Sequence, residues 1–144
     1  MRKTRQQRAI LILALMGVLH LQGRSKPEKK RVLNFIRIKG LYRPSERENR
    51  EISTSEKAWE NRFAWLRSDL HEEGIIDFRE RDCWEITDLG REKFRDWLSR
   101  VRDVTLKNPE WREEIASISD PSNDFYLTPE AVELALKIGD EMNL

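Results

Sequence analysis

In this chain of 144 residues, the side chains suited to catalysis are two histidines, one cysteine and a Glu-Lys-Lys triplet. Nucleophilic catalysis needs a Cys or Ser beside a His that an acid orients. His20 lies inside an apolar run and His71 near the acidic end of a helical stretch, and neither has that neighbour pattern. Cys83 stands beside Trp84 in a strand-like stretch, where a small packed residue is expected. A single cysteine excludes an internal disulfide and any multi-cysteine zinc site, and it suits a reducing compartment. Glu28-Lys29-Lys30 has the letters of a magnesium-nuclease triplet. No Asp or Glu precedes it in residues 1–27 to complete the acidic cluster, and the triplet reads as helical. His-Glu-x-x-His spacing and a phosphate-cradling Gly-rich loop are both missing. The expectation is therefore no catalytic residues, no metal, no cofactor and no enzymatic activity of its own.

The basic side chains point elsewhere. The formal net charge is only +1, which excludes a histone-like polycation and a uniformly acidic DNA mimic. Residues 1–50 carry fourteen Lys/Arg against three Asp/Glu, net +11. Residues 51–104 are net −4 and residues 105–144 net −6. Such asymmetry along a chain fits a polyanion partner for the first part. The competing reading is that the basic and acidic parts pair with each other in the fold.

These charges must be carried on ordered elements. Five Trp, five Phe and two Tyr allow a real core. MRKTRQQR followed by an apolar run over residues 9–21 resembles the start of a signal peptide. The run of about 13 residues is too short for a bilayer, which takes about 20. Basic residues, not a small-residue cleavage site, follow it. A buried first helix stopping at Gly23 is expected, in a cytoplasmic protein without a membrane anchor. A second helix is expected from about Ser25 and Pro27 to Gly40, with Val32, Leu33 and Ile36 inward. Residues 41–55 read as a long basic connection with room for one helical turn.

The third helix is the clearest. Ser55 is placed to cap it and Gly74 to stop it. At about 100° per residue from Trp59, Phe63, Leu66 and Leu70 fall within about 40° of it and make one core stripe. Lys57, Asn61 and Ser68 fall near 180°, Arg62 near 300° and Trp65 near 240°. The alternation of Ile76/Phe78 and Trp84/Ile86 across the tip 79–82 reads as a hairpin. Thr87 then caps a fourth helix with Leu89, Phe94, Trp97, Leu98 and Val101 inward. In residues 105–144 a short helix with Trp111 and Ile115 and a last helix after Thr128 are expected. The last helix would turn Ala131, Leu134, Ala135 and Ile138 inward. This acidic extension has three uses open to it: packing on the domain, forming a homodimer, or leading to another module.

Helix, helix, helix, hairpin, helix is the winged-helix plan. The expected fold is mainly α with a small β-hairpin, a winged helix over 1–104 with a C-terminal helical extension over 105–144. Residues 59–90 resemble the N-terminal domain of Mrr-type restriction proteins. That family's pattern is met by Trp59, Asn61, Arg62 and Trp65, then Leu70, Gly74, Ile75 and Ile76, then Trp84, Ile86, Thr87, Gly90 and Arg91. The Trp-x-Asn-Arg-x-x-Trp portion is fairly specific, whereas the rest is shared by many winged helices. The resemblance covers about two thirds of the chain. It implies binding of double-stranded DNA, and in the family the domain is joined to a nuclease that attacks methylated DNA. No nuclease is present here, so the resemblance implies a recognition module whose nuclease lies in the same longer protein or another chain. A transcription regulator and a protein–protein interaction module remain alternative uses of the same fold.

Under the resemblance the third helix lies in the major groove. Lys57, Asn61 and Ser68 then reach base edges or phosphates. Arg62 reaches DNA or bonds inside the domain. Trp65 either offers an apolar face to a base methyl or packs on the first helix or the extension. Arg79 and Arg81 at the wing tip contact the backbone or minor groove, unless Glu80 and Asp82 pair with them. Lys26, Lys29, Lys30, Arg43, Arg47 and Arg50 hold phosphates.

Overall fold

The computed structural model describes residues 2–53, 56–77, 82–107, 110 and 129–143. In chain order the elements are α1 (Arg2–Gln22), α2 (Lys29–Ile38), β1 (Glu51–Ser53), β2 (Glu56–Lys57), α3 (Ala58–Glu72), β3 (Ile76–Asp77), β4 (Glu85–Ile86), α4 (Asp88–Lys107) and α5 (Pro129–Glu141). The fold is mainly α, with two two-stranded antiparallel sheets. β3 and β4 are the hairpin expected between the third and fourth helices, paired Ile76 to Ile86 and Asp77 to Glu85.

α1 is the axis of the core. From Ala9 to Met16 every residue is at most 1% exposed. A helix that is apolar on all sides needs neighbours on all sides. α2, α3, α4 and β4 cover part of it, and α5 makes the most extensive contact. Ala131, Val132, Ala135 and Ile138 of α5 are buried with it. Val132 takes the inward place expected of Leu134, which is only partly buried. Each fully buried Leu, Ile or Met of α1 contributes roughly 1.5–3 kcal/mol. Among the described residues no helix is long and apolar enough to cross a membrane.

Gly17 lets α2 approach. A Cβ built there would run into the ring of Phe35, which is itself buried. Gly17→Val is expected to overpack this crossing at a cost of about 1–3 kcal/mol. A thermal melt should show it as a lower Tm, by several degrees.

Several local expectations are corrected. α2 begins at Lys29, with Glu28 at its N-cap and no side-chain cap bond. The carbonyl of Pro27 instead accepts the Trp84 N–H at 2.8 Å, which ties residue 27 to the hairpin and delays the helix. Residues 41–50 contain the expected turn, but β1 and β2 form an unforeseen short sheet with an irregular register. α3 starts at Ala58 after an N-cap at Lys57, and Ser55 lies outside the described residues. Leu89 is 43% exposed, not inward. The inward face of α4 starts at Gly90, where a Cβ would stand 2.7 Å from the Ile75 carbonyl oxygen and from Ile86. That close approach rotates Leu89 out. Thr87 does cap α4: its Oγ1 accepts the Gly90 N–H at 3.1 Å and lies 3.0 Å from the Ile75 carbonyl oxygen. Gly23 and Gly74 end α1 and α3 at φ of +67° and +79°, a region glycine enters without steric cost.

Two titratable groups link the fold to pH. Arg8 grips Glu73 with both guanidinium nitrogens, at 2.5 and 2.6 Å, and joins α1 to the end of α3. Hydrogen bonding to Arg8 holds the Glu73 carboxyl below its ordinary 4.5, against a smaller opposing effect of burial. His20, near the end of α1, is lowered from 6.5 by burial first and then by Arg95 and Arg91, with Glu141 opposing. In both cases the unfolded chain binds protons more readily than the folded one, so stability rises with pH. The His20 contribution is present above 6.5 and is lost as pH falls through its lower folded value; the Glu73 contribution follows below 4.5. Tm is therefore expected to fall between pH 7.5 and pH 5.5 in thermal melts, and His20→Asn should flatten that fall.

Candidate nucleic-acid interface

α3 buries Trp59, Phe63, Leu66 and Leu70, the stripe read from the sequence. Its flank at about 80–120° from Trp59 is also occupied. The Arg67 guanidinium lies over the Trp84 ring, 5.1 Å from the centroid, and its Nη2 donates to the Cys83 carbonyl at 2.6 Å. Burial lowers the Arg67 pKa. His71 Nδ1 lies 3.1 Å from the Ile76 carbonyl oxygen. The hairpin thus packs along this flank, and Cys83 is buried between.

Covering a second flank turns the open arc of α3 to about 220–300°. Arg62, Trp65, Asp69 and Glu72 stand there, all exposed. Trp65 is 64% exposed, so most of its surface stands clear of the core. Lys57, Asn61 and Ser68 are half-buried and do not stand fully clear of the surface. The arc is also polarised along the helix, with Arg62 in its first half and Asp69 and Glu72 in its second.

A basic loop is fastened to the N-terminal end of α3. The Ala58 and Trp59 N–H groups donate to the carbonyls of Arg50 and Glu48, at 3.0 and 2.9 Å. Glu60 accepts the Lys57 N–H at 2.9 Å. The connection before β1 is therefore folded against the first turn of α3. A part-buried relay keeps it there. Gln7 Nε2 donates to the Tyr42 hydroxyl at 2.9 Å, and that hydroxyl donates to Glu48. Glu48 also accepts the Ser45 N–H at 3.2 Å. The Tyr42 ring meets Phe63 edge-on, with centroids 5.5 Å apart. Arg43, Arg47 and Arg50 ride on this anchored loop and are exposed. An ion pair between Lys29 and Glu56 draws the start of α2 towards β2, with exposed Lys26 and Lys30 beside it. Arg79 and Arg81 lie outside the described residues.

Some pairing between the basic and acidic segments is present. Arg8 and Lys29 pair with Glu73 and Glu56. Lys30, Arg43, Arg47 and Arg50 form no ion pair among the described residues. Sequence reasoning missed the anchoring roles of Arg67, Tyr42 and Glu48. Period and spacing carry no sign of a contact between residues that only folding brings together.

No curated protein and no solved structure is matched by the chain. The family model of the Mrr N-terminal domain matches residues 11–96, which run from the middle of α1 into the first half of α4. That stretch is more than half of the chain and includes every element that builds the α3 surface. The chain belongs to the Mrr N-terminal domain family, and through it is associated with Mrr-type restriction systems.

Proposed function

We propose that the chain binds double-stranded DNA as a winged helix, with the first half of α3 in the major groove. The observation that carries this is that the basic loop holding Arg43, Arg47 and Arg50, all exposed, is hydrogen-bonded to the first turn of α3. Recognition helices of this kind meet base edges with their N-terminal residues, and Asp69 and Glu72 keep the second half away from phosphates. Arg43, Arg47, Arg50, Lys26 and Lys30 neutralise backbone charge, while Arg62 reads bases from the open arc and half-buried Asn61 stands at its edge. The β3–β4 hairpin is the wing, and Arg79 and Arg81 at its tip meet the backbone. Trp65 presents an apolar face to a base methyl, which makes the module a reader of modified DNA in a restriction system. The cutting chemistry belongs to a nuclease module elsewhere, and the protein works in the cytoplasm.

Fluorescence anisotropy on duplexes with and without methylation tests this. The affinity should fall by about 0.9 decades per decade of salt for each phosphate neutralised. Absence of duplex binding at low salt overturns the reading. Trp65→Ala should leave Tm nearly unchanged, because exposed substitutions usually stay within about 0.5 kcal/mol. It should reduce binding to methylated duplex more than to plain duplex. Equal losses on both would reject the methyl-reading role and leave DNA binding standing.

A further inference from the structure

We propose that the outer face of α2 is a docking groove for an acidic peptide segment of another protein, one that carries a bulky apolar side chain. This goes beyond DNA binding and uses a surface that shares only Lys30 with the one proposed for DNA. A groove of about 450 Å³ runs between the last turn of α1 and α2, lined by Gln22, Lys30, Arg31, Phe35, Ile38 and Lys39. Arg31, Phe35 and Ile38 follow one another at helical spacing, so they form a single stripe of about 10 Å. That is the length of a few extended residues or two helical turns.

Two features define the occupant. The first is apolar. Ile38 ends α2 and is 70% exposed, more than the other exposed large hydrophobic residues described. It takes no part in the core, and Phe35 below it is buried. The second is charge. Lys30, Arg31 and Lys39 face one acid, Glu28, around the groove. None of these three cations forms an ion pair among the described residues. Arg31 reaches only Gln22, at 3.3 Å, and the Lys39 ammonium lies 5.9 Å from the centre of the Phe35 ring. A phosphodiester strand would satisfy the cations but gains nothing by covering an isoleucine. An acidic peptide satisfies both: carboxylates meet the cations, and one apolar side chain covers Ile38.

The test titrates the full chain with a short synthetic peptide of Glu and Asp around a Leu-Leu centre. Fluorescence anisotropy of the labelled peptide gives affinity, and amide chemical shifts give location. Shifts are expected at Gln22, Lys30, Arg31 and Ile38. Ile38→Ser and Arg31→Glu should each weaken binding about fivefold or more, as should a Ser-Ser centre in the peptide. Ile38 is exposed, so Ile38→Ser should keep the wild-type melt. Duplex DNA should not displace the peptide from Arg31 and Ile38, whose amide shifts should persist. The proposal is overturned if the peptide does not bind, if Ile38→Ser has no effect, or if shifts centre on the start of α3. Displacement by duplex would assign the groove to nucleic acid, and shifts at the same residues on concentrating the chain alone would assign it to a second copy. Either result also overturns it.

Discussion

Ile138→Asp is expected to unfold the chain. Ile138 is fully buried in α5, against the helix that forms the centre of the core. Removing a buried Ile side chain costs about 2–5 kcal/mol. An Asp there must also be buried as a charge or be protonated, and burying an unpaired polar group adds several kcal/mol more. The sum approaches the whole stability of an ordinary domain, about 5–15 kcal/mol. Circular dichroism should show loss of cooperative melting near room temperature. Ile138→Val, which removes one methylene, should cost only about 0.5–1.5 kcal/mol and melt cooperatively. A wild-type melt for Ile138→Asp would mean that α5 is not part of the core. The wider point is that the domain recognised by family runs from residue 11 to 96, yet its central helix is closed off by residues beyond that limit.

The second large effect concerns DNA. Reversing Arg43, Arg47 and Arg50 to Glu is expected to weaken duplex binding by roughly 500-fold at about 0.1 M salt. Each phosphate contact contributes about 0.9 decades of affinity per decade of salt, so three contacts span roughly 2.7 decades between 1 M and 0.1 M. The plot of log affinity against log salt should become shallower by about 2.7. The loss should be equal for methylated and plain duplexes, since phosphates carry no sequence information. Exposed loop residues tolerate substitution, so the melt should not change by more than about 0.5 kcal/mol. An unchanged salt slope would show that the loop does not touch the backbone. Tyr42→Phe supplies the complementary measurement: it keeps the three cations but breaks the relay from Gln7 to Glu48 that anchors the loop.

Much of the fold was legible because it is written in local pattern. The stripe of Trp59, Phe63, Leu66 and Leu70 follows from helical periodicity, and all four residues are buried. Thr87 is one residue before α4 and bonds the Gly90 N–H, as its type and spacing predict. Gly23 and Gly74 stop their helices for a reason belonging to glycine itself. The site was less legible. Placing Lys57, Asn61 and Ser68 opposite the core assumed that α3 packs on one side only. Arg67 and His71 bind the hairpin along a second flank, which shifts the open arc to Arg62 and Trp65. Whether Trp65 is buried could not be read from its angle, because the answer depends on how far that second contact extends.

By itself the sequence determined the helices, the hairpin and the charge asymmetry, because periodicity, caps and composition act over a few residues. It also determined that α1 must be enclosed, since the apolar run over residues 9–21 carries no Lys, Arg, Asp or Glu. Only the tertiary structure decided what encloses it, and α5 from the acidic extension does so. Only the tertiary structure brought Arg43, Arg47 and Arg50 to the start of α3, through two backbone hydrogen bonds and the Tyr42 relay. The physical reason is common to both. A helix face or a cation is specified where it stands in the chain, but its partner lies far away in sequence and is selected by which surfaces remain uncovered once the rest has packed.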